Sequence, residues 1–342
     1  MSLPKRLLIY RLSAMGDVAM VVPVVIALTR AYPQVEVILL SRKMFEPLFA
    51  VIPNVNFIVA DFNGKHKGLL GLIKLSKELR ALELNAVADF HDVLRTKVLR
   101  NLTTGVEISV IDKGRAEKTR LIKDPNFFQP LQHSTERYAD VLRKLGYTIE
   151  LNKDEFLSRK KLLESVIKRI GKKETKWIGF APFAAHETKS LTVNRAKQIV
   201  KRIAKEFDVK IILIGGGTEE KKKLALVAGT ISNVYNIVGQ FSFEEELSLI
   251  SNLDAMIAMD SGNGHLAALY DVPVITLWGN THPYAGFAPY AQLEENQLSV
   301  NRKDFPKAPT SIFGNKIVKD YKNATDSIQD EPILDRLRKI MQ

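Results

Sequence analysis

The sequence predicts an α/β protein built from two doubly wound domains, each with a parallel sheet. Short apolar runs of strand length alternate with segments of helical periodicity along most of the chain. A mostly charged stretch, residues 150–176, interrupts this alternation, and 342 residues exceed what one hydrophobic core usually holds. We therefore expect one domain over 1–153 and a second over 154–325, facing a central cleft at the carboxyl ends of both sheets.

The first half contains five predicted strands and five predicted helices in alternation. Periodicity and turn residues indicate strands at 7–12, 35–40, 56–60, 86–90 and 107–111. Helices are expected at 18–32, 45–52, 72–82, 93–101 and 134–145, the first ending before Pro33 and the last before Gly146. Residues 112–132 show neither pattern, so we expect a long loop there.

The second half begins with the linker 150–176, whose middle, residues 156–170, has the apolar spacing of an amphipathic helix. The following strands are predicted at 177–181, 210–214, 234–237, 255–260 and 272–278. The helices between them are predicted at 192–207, 219–229, 243–252 and 265–270. Beyond Gly279 the periodicity fades into a region rich in loops, until a last helix over 330–341.

Composition describes a globular protein with a strong basic excess. The absence of cysteine excludes disulfides and thiolate chemistry, and the sequence shows no signal peptide or apolar span, so we expect a cytoplasmic location. A net charge of +12 favours anionic partners. The densest basic segment, residues 95–123, lacks the interleaved aromatic residues of nucleic-acid modules. A solvated face and a site for an anionic acceptor or membrane surface both remain open.

Several common catalytic signatures are missing from the sequence. It contains no G-x-x-x-x-G-K-[ST] loop for ATP and no G-x-G-x-x-G after the first strand, since the glycines at 215–217 lack that spacing. It also has no G-x-S-x-G elbow, and its six histidines form no H-E-x-x-H zinc motif. ATP-dependent, nicotinamide-dependent and hydrolase chemistry are therefore disfavoured.

Polar residues follow strand ends in both halves, and each has a functional and a structural interpretation. Asp17 follows the first strand, where a carboxylate can take a proton from an acceptor hydroxyl or cap a helix. Lys189 follows the first strand of the second half and suits a phosphate, although most loop lysines are simply solvated. Glu219 and Glu220 follow the next strand and suit a ribose diol or the positive end of a helix.

The turn Asp-Ser-Gly-Asn-Gly-His at 260–265 lies between an apolar run and a helical patch. Free backbone N–H groups at a helix start, with two glycines that allow close approach, suit a phosphate. The alternative is that Asp260 and Ser261 only cap the helix. The residues of this turn alone leave the two interpretations equally open.

Two motifs together resemble glycosyltransferase family 9, the ADP-heptose:lipopolysaccharide heptosyltransferases. The first is Arg-Leu-Ser-Ala-Met-Gly-Asp-Val at 11–18, followed by Pro23, and the second is Asp-Ser-Gly-Asn-Gly-His-Leu-Ala-Ala at 260–268. The similarity extends along nearly the whole chain. It implies the GT-B fold, in which two Rossmann-like domains face a central cleft and the last helix, within 326–342, packs back on the first domain.

The resemblance also implies roles for individual residues. Asp17 matches the proposed general base, and Lys189 matches a lysine that contacts the donor phosphates. Glu220 matches a glutamate that holds the donor ribose, although the alignment also allows Glu219. The donor-binding signature corresponds to Asp260, Ser261, Gly262, Asn263, Gly264 and His265, where the family usually has proline and methionine at the fourth and fifth positions. Candidate acceptor contacts, mostly basic, are Ser13, Lys65, Lys67, Arg95, Arg115 and Arg120.

The activity implied by the resemblance is inverting transfer of a heptose from ADP-heptose to the lipopolysaccharide inner core, with no metal and no cofactor. The expected partners are the nucleotide-sugar, a phosphorylated lipid-linked saccharide acceptor and the inner-leaflet membrane surface, with no nucleic acid. The departures at Asn263 and Gly264 keep open a transferase of the same fold with another nucleotide-sugar or a surface polysaccharide acceptor. The basic charge keeps open a non-catalytic nucleotide-binding or nucleic-acid-binding protein.

Overall fold

Each half of the chain forms a parallel sheet covered by helices. The computed structural model describes residues 3–342 and divides into two compact units. Unit 1 comprises residues 3–113 and 133–156, and unit 2 comprises residues 114–132 and 157–342. Contacts within the chain put the boundary at 156–157, close to the expected 153–154, and assign residues 114–132 to unit 2.

Unit 1 contains a five-stranded parallel sheet in the order β3-β2-β1-β4-β5. Its strands are β1 (Arg6–Tyr10), β2 (Glu36–Ser41), β3 (Val55–Val59), β4 (Ala86–Asp89) and β5 (Glu107–Val110). The helices up to the end of this unit are α1 (Met15–Ala19), α2 (Val21–Ala31), α3 (Glu46–Phe49), α4 (Gly68–Arg80), α5 (Leu94–Leu102), α6 (Arg115–Lys123, in unit 2) and α7 (Ser134–Lys144).

The core of unit 1 explains why these segments form strands and helices. Strand β1 pairs with β2 and β4, and Leu8 in its centre is completely buried, as expected for a parallel strand covered on both faces. On one face lie α4 and α5. Leu72, Leu75 and Leu79 repeat at helical spacing along α4 and are buried with Leu99 of α5 in the same cluster.

Unit 2 contains a six-stranded parallel sheet in the order β11-β10-β9-β6-β7-β8. Its strands are β6 (Lys176–Ala181), β7 (Val209–Leu213), β8 (Val234–Asn236), β9 (Ala255–Met259), β10 (Val274–Trp278) and β11 (Gln297–Ser299). Its further helices are α8 (Glu164–Ile170), α9 (Val193–Glu206), α10 (Gly217–Ala228), α11 (Phe243–Ile250), α12 (Gly262–Ala268) and α13 (Asp330–Met341). Because β9, β6 and β7 are neighbours, the segments that follow them meet at one edge of the sheet.

The loop expected at 112–132 contains a helix, α6, and this expectation was wrong. The helix begins after Gly114, which adopts a left-handed conformation with φ of 61°. Most of its residues are polar or charged, which hid the apolar positions from a periodicity search. Leu121 is nevertheless buried in a cluster of unit 2, with Leu131, Ala285 and the partly buried Phe287.

The helix expected at 156–170 is confined to α8, Glu164–Ile170. The preceding residues are extended, and their backbone groups bond to other parts of unit 2. Leu157 N–H donates to the Leu269 carbonyl at 2.7 Å, and Lys160 N–H donates to Ser251 Oγ at 3.1 Å. These tertiary hydrogen bonds replace the ones that a helix would make, so the local apolar spacing was misleading.

The structure makes α13 part of unit 2, and the expectation that the last helix packs back on the first domain stays a prediction. Ile333, Leu334 and Leu337 are buried in the same cluster as residues of β6 and α9. The start of the helix is held electrostatically as well, because Arg195 of α9 lies 2.7 Å from Asp330. An amphipathic helix goes wherever its apolar face is buried, and here that is the core of unit 2.

The place of α13 leads to a first prediction. Replacing the fully buried Leu337 by alanine should cost about 2–5 kcal/mol in local stability, because it leaves a cavity in the core. Hydrogen exchange should then accelerate in α9 (Val193–Glu206) and not in β1 (Arg6–Tyr10). The control is Leu226→Ala, which truncates an exposed leucine of α10. Loss of protection in β1 instead of α9 would mean that the last helix packs on the first domain.

Candidate functional site

The carboxylate predicted as a general base lies in the first turn of α1 and is held by an arginine. Arg11 Nη2 is 2.7 Å from Asp17 Oδ2, and the Ala14 N–H donates to the same oxygen at 3.2 Å. The Arg11 side chain is 8 % exposed, whereas that of Asp17 is 32 % exposed and reachable from solvent. Since both contacts use Oδ2, the other oxygen, Oδ1, is left for a substrate.

The structural interpretation of Asp17 is present as well. Asp17 is the third residue of α1, and its bond to the Ala14 N–H is a capping contact at the helix start. Capping occupies one carboxylate oxygen and leaves the second. The two interpretations that the sequence left open are therefore compatible.

Arg11, the first residue of the motif at 11–18, is a further site residue whose role the sequence did not predict. Its Nη1 donates to the Phe90 carbonyl at 2.7 Å, and its guanidinium lies 5.7 Å from the centre of the Tyr138 ring. These contacts fix the guanidinium against Asp17. The position of Arg11 in the sequence could have indicated this role, because a charged residue directly after a buried strand needs a partner.

A buried histidine, His91, lies beside this pair but is poorly suited to act as a base. The Leu12 N–H donates to His91 Nδ1 at 3.4 Å, so the neutral ring carries its proton on Nε2. Burial, and then the positive charges of Arg11 and Lys113, lower the pKa of His91 from 6.5 to about 3. A group with that pKa stays neutral at ordinary pH, which leaves Asp17 as the candidate base.

In unit 2 the predicted donor residues Lys189 and Asp260 are in direct contact. Lys189 Nζ lies 2.9 Å from Asp260 Oδ2, and the two side chains are 15 % and 9 % exposed. Lys189 ends a short 3-10 turn after β6, and Asp260 follows β9, the neighbouring strand. The sequence therefore placed a cation and a carboxylate at the same sheet edge, and the structure brings them together.

Lys189 is positioned by residues that sequence reasoning missed. The completely buried Asn280 donates from Nδ2 to the Thr188 carbonyl at 3.0 Å and to the Tyr321 carbonyl at 2.7 Å. Thr188 in turn donates from Oγ1 to the carbonyl of Gly314. A Cβ at Gly314 would lie only 2.2 Å from Cδ of Lys189, so the lysine stem packs directly on this glycine. Both positions lie beyond residue 279, where periodicity gives no signal.

The turn at 260–265 presents a serine hydroxyl with no bonding partner. Ser261 Oγ is buried and forms no hydrogen bond within the described part of the chain, and the side chain does not cap α12. Capping by Ser261 is therefore absent. Gly262 and Asn263 are partly exposed, and His265 is buried within α12. A Cβ at Gly264 would lie 3.3 Å from Cβ of Ala258, so this glycine lets α12 pack closely on β9.

The structure distinguishes the two glutamates that follow β7. Glu220 turns toward the strand end, where its Oε2 accepts a hydrogen bond from the Gly216 N–H at 2.8 Å. Glu219 is exposed and pairs with Lys222 at 2.9 Å on the outside of α10. The geometry favours Glu220 as the residue at the sheet edge.

The basic acceptor candidates are distributed over both units. In unit 1, Lys65 and Arg95 line one cavity of about 720 Å³, while Lys67 is exposed before α4 and Ser13 is partly buried before α1. Arg115 and Arg120 belong to α6 of unit 2. Arg120 is occupied locally, 3.0 Å from Asp124 and stacked on the Phe127 ring. The segment 95–123 is thus not a feature of a single domain.

Residues 3–342 contain neither a cluster of metal-binding side chains nor a helix that could span a membrane. No group of three or more histidine, aspartate and glutamate side chains there is arranged to hold a metal ion. Over the same range, every helix is too short or too polar to cross a membrane.

Comparison with known proteins identifies the relatives of this chain. A model described as "Glycosyltransferase family 9 (heptosyltransferase)" matches residues 72–314. Lipopolysaccharide core heptosyltransferase OpsX of Haemophilus influenzae is 27 % identical, over 98 % of this chain and 97 % of that protein. Lipopolysaccharide heptosyltransferase 3 of Escherichia coli is 23 % identical, over 86 % and 87 %.

Solved structures support the fold. A glycosyl transferase of family 9 from Veillonella parvula superposes with a TM-score of 0.75 at 17 % identity, covering 98 % of this chain and 97 % of that one. The E. coli heptosyltransferase WaaC, solved with ADP, has a TM-score of 0.68 at 17 % identity, covering 98 % and 99 %. The predicted GT-B class, with two parallel α/β domains, is confirmed.

The buried His91 predicts a pH dependence of stability. Below pH 6.5 the unfolded chain takes up a proton that folded His91 does not accept until about pH 3, so this residue lowers stability as the pH falls. The contribution lost between pH 7 and pH 5 is about 2 kcal/mol. In His91→Gln the free energy of unfolding, measured in urea, should fall by that much less over this interval. His186→Gln, at an exposed position, should match the wild type. Equal losses in all three proteins would mean that His91 is protonated in the folded state.

Proposed function

We propose, because the chain belongs to glycosyltransferase family 9, that this glycosyltransferase moves a heptose from ADP-heptose to the lipopolysaccharide inner core, with inversion. The observation that carries the proposal is the contact of Lys189 with Asp260, beside the unpartnered Ser261 hydroxyl. These groups suit the diphosphate of a nucleotide-sugar. The sugar and the acceptor are proposed from the relatives, which are lipopolysaccharide heptosyltransferases, and from the structure of WaaC with ADP-2-deoxy-2-fluoro heptose.

Asp17 is the proposed general base. Its Oδ1 takes the proton of an acceptor hydroxyl as the hydroxyl oxygen attacks the anomeric carbon of the donor. The bond between that carbon and the diphosphate oxygen breaks with its electron pair, and ADP leaves on the opposite face, which inverts the configuration. Arg11 holds Oδ2 at 2.7 Å, so the carboxylate presents the same oxygen in each turnover.

Lys189 is the proposed partner of the leaving diphosphate. The departing oxygen gains negative charge, and a nearly buried ammonium stabilises that charge more strongly than a solvated one does. Asp260 holds the ammonium at the sheet edge until the donor arrives. Ser261 Oγ donates to a phosphate oxygen, and the Oε1 atom of Glu220 accepts a hydrogen bond from the donor ribose.

The acceptor side of the proposal rests on unit 1. Lys65 and Arg95 face a cavity of about 720 Å³, large enough for a phosphorylated sugar, and Ser13 and Lys67 lie in the loops after β1 and β3, the two strands that flank β2. Arg115 and Arg120 stay acceptor candidates from unit 2. We assign acceptor binding to residues 1–153 and donor binding to 154–325, and a chain lacking either is expected to be inactive.

Further parts of the proposal concern cofactors and location. We propose that transfer needs no metal and no cofactor, since Lys189 supplies the positive charge at the diphosphate. A chelator in the assay should leave the rate unchanged. We place the enzyme in the cytoplasm at the inner-leaflet surface, where a lipid-linked acceptor is found, and assign no role to nucleic acid.

The donor is tested by a panel of nucleotide-sugars. With a lipid-linked core saccharide as acceptor, ADP-heptose should be turned over much faster than UDP- or GDP-sugars, and the product should carry the inverted linkage. Turnover of a UDP-sugar in place of ADP-heptose would show that the enzyme is a transferase that uses another donor. Salt-sensitive DNA binding without sugar transfer would support the alternative of a non-catalytic nucleic-acid-binding protein.

The base is tested by Asp17→Asn. Asparagine can still accept from the Ala14 N–H, so the helix start should remain intact. We expect kcat to fall by about 100- to 10,000-fold, because the proton acceptor is gone. ADP affinity, measured by calorimetry, should stay unchanged, since the donor residues lie in unit 2. Transfer at nearly the wild-type rate would remove Asp17 from this role.

The position of Lys189 is tested from a distance by Gly314→Ala. The new Cβ would displace the lysine stem, so ADP should bind about 10-fold more weakly or worse, as the ammonium loses its hydrogen bonds to phosphate. The matched control is Gly105→Ala. Gly105 has a φ of 76° against 74° for Gly314, but a Cβ there meets nothing within 4 Å. If Gly314→Ala binds ADP as tightly as the wild type and Gly105→Ala do, moving the lysine stem has no effect and Lys189 is not the phosphate ligand.

A further inference from the structure

Three large apolar side chains protrude from two neighbouring helix starts in unit 1. Leu69 and Leu70 in the first turn of α4 are 64 % and 82 % exposed, and Leu94 at the start of α5 is 79 % exposed. Further along α4, Leu72, Leu75 and others are buried against the sheet. The apolar stripe of this helix thus continues past the core into solvent. We call Leu69, Leu70 and Leu94 the apolar tip.

The three leucines share one side of the molecule. Helix α4 follows β3 and α5 follows β4, so both helices start at the carboxyl edge of the parallel sheet. The two helices also pack side by side on the same face, where Leu75 and Leu99 enter one cluster. The apolar tip is therefore a local feature of unit 1.

Cations lie beside the apolar tip and are not neutralised within the described chain. Four exposed residues form this basic rim: Arg42, Lys43, Lys67 and Arg95. None of them has a carboxylate within 4.0 Å among residues 3–342. Arg42, Lys43 and Arg95 line one cavity, and Lys67 directly precedes Gly68, the first residue of α4.

Most carboxylates near the basic rim bind other groups. Asp61 accepts hydrogen bonds from the N–H groups of Gly64 and Lys65, and Glu78 pairs with Lys65 at 3.1 Å. Glu46, at the start of α3, also lines the cavity. The charge of the rim is therefore positive, and it faces solvent beside exposed leucines.

We propose that the apolar tip inserts into the interface of an anionic bilayer while the basic rim binds the headgroup phosphates. Exposed leucines on one side of a cationic surface are the pattern by which peripheral proteins enter the boundary between headgroups and acyl chains. Charge complementarity favours an anionic lipid surface over a second copy of this basic chain, because the two positively charged rims would repel each other. The inference deepens the proposed function, which places the enzyme at the inner-leaflet surface, by naming the side chains that contact the lipid. It rests on that function for the lipid-linked acceptor, whose candidate contacts Lys67 and Arg95 belong to the same rim.

Vesicle flotation of the full chain tests the surface without any substrate. Wild type should float with vesicles that contain phosphatidylglycerol and less with phosphatidylcholine alone. The double variant Leu69→Ser and Leu70→Ser should lower the partition coefficient about 10-fold or more, since two large apolar groups no longer leave water. Leu293→Ser, at a leucine of unit 2 that is 60 % exposed, should float like the wild type. Matching thermal melts of all three proteins show that folding is intact.

Insertion itself is tested by a tryptophan at the tip. The two native tryptophans, Trp177 and Trp278, are completely buried, so they form a constant background. Leu70→Trp should give a blue-shifted emission on anionic vesicles and quenching by lipids brominated in the acyl chains. Leu293→Trp should give neither.

Three outcomes would overturn the proposal. The first is flotation of the serine variant at the wild-type level. The second is vesicle binding that high salt abolishes but that the two leucine substitutions do not change. The third is sedimentation showing that the apolar tip joins two copies of the chain. Transfer to a lipid-free, water-soluble core saccharide separates this test from that of the proposed function. The serine variant should match the wild type on that acceptor and lose rate only on vesicles. If the wild type transfers to neither acceptor but still floats, the proposed function fails and the membrane surface stands.

Discussion

Helices cover both faces of each parallel sheet, and this burial confines polar chemistry to the strand ends. Residues such as Leu8 in unit 1 and Ile257 in unit 2 are completely buried, so a charge at the centre of either sheet would be out of reach of water. The loops after β1, β4, β6, β7 and β9 are where the chain leaves this apolar environment. The catalytic and donor-binding candidates follow from that constraint, because each lies in one of those loops or in the first turns of the helix that follows.

The two candidate centres use similar electrostatics. In each, a carboxylate at a strand end is held by a cation at hydrogen-bonding distance, Arg11 with Asp17 and Lys189 with Asp260. Taking such charges out of water is costly, and a pair of this kind often contributes little net stability. The benefit is a fixed orientation before the substrate arrives. For Lys189, donor phosphate competes with Asp260 for the ammonium, so the strength of the pair limits how tightly the donor can bind.

The sequence predicted the elements whose signal is local. The buried strands, the amphipathic helices and the two strand-end motifs all carry their pattern within a few residues, and Lys189 and Asp260 were placed at one sheet edge before any distance was known. Non-local signals were missed. Asn280 and Gly314 support Lys189 through contacts across the fold, helix α6 buries Leu121 against residues far along the chain, and the segment before α8 donates hydrogen bonds to Ser251 and Leu269. Periodicity within a window cannot detect a partner outside it.

The path of residues 114–132 has a consequence for how the protein is made. The chain leaves unit 1 at Lys113, contributes α6 to unit 2 and returns at His133, so neither unit is a continuous piece of sequence. Lys118 stacks on the Phe287 ring at 4.2 Å, and that ring is synthesised long after the helix has left the ribosome. Until then α6 lacks the surface that buries its leucine, and contacts of such large sequence separation form late in folding. The nascent chain therefore carries α6 without the surface that buries Leu121 until Phe287 and its neighbours have been synthesised.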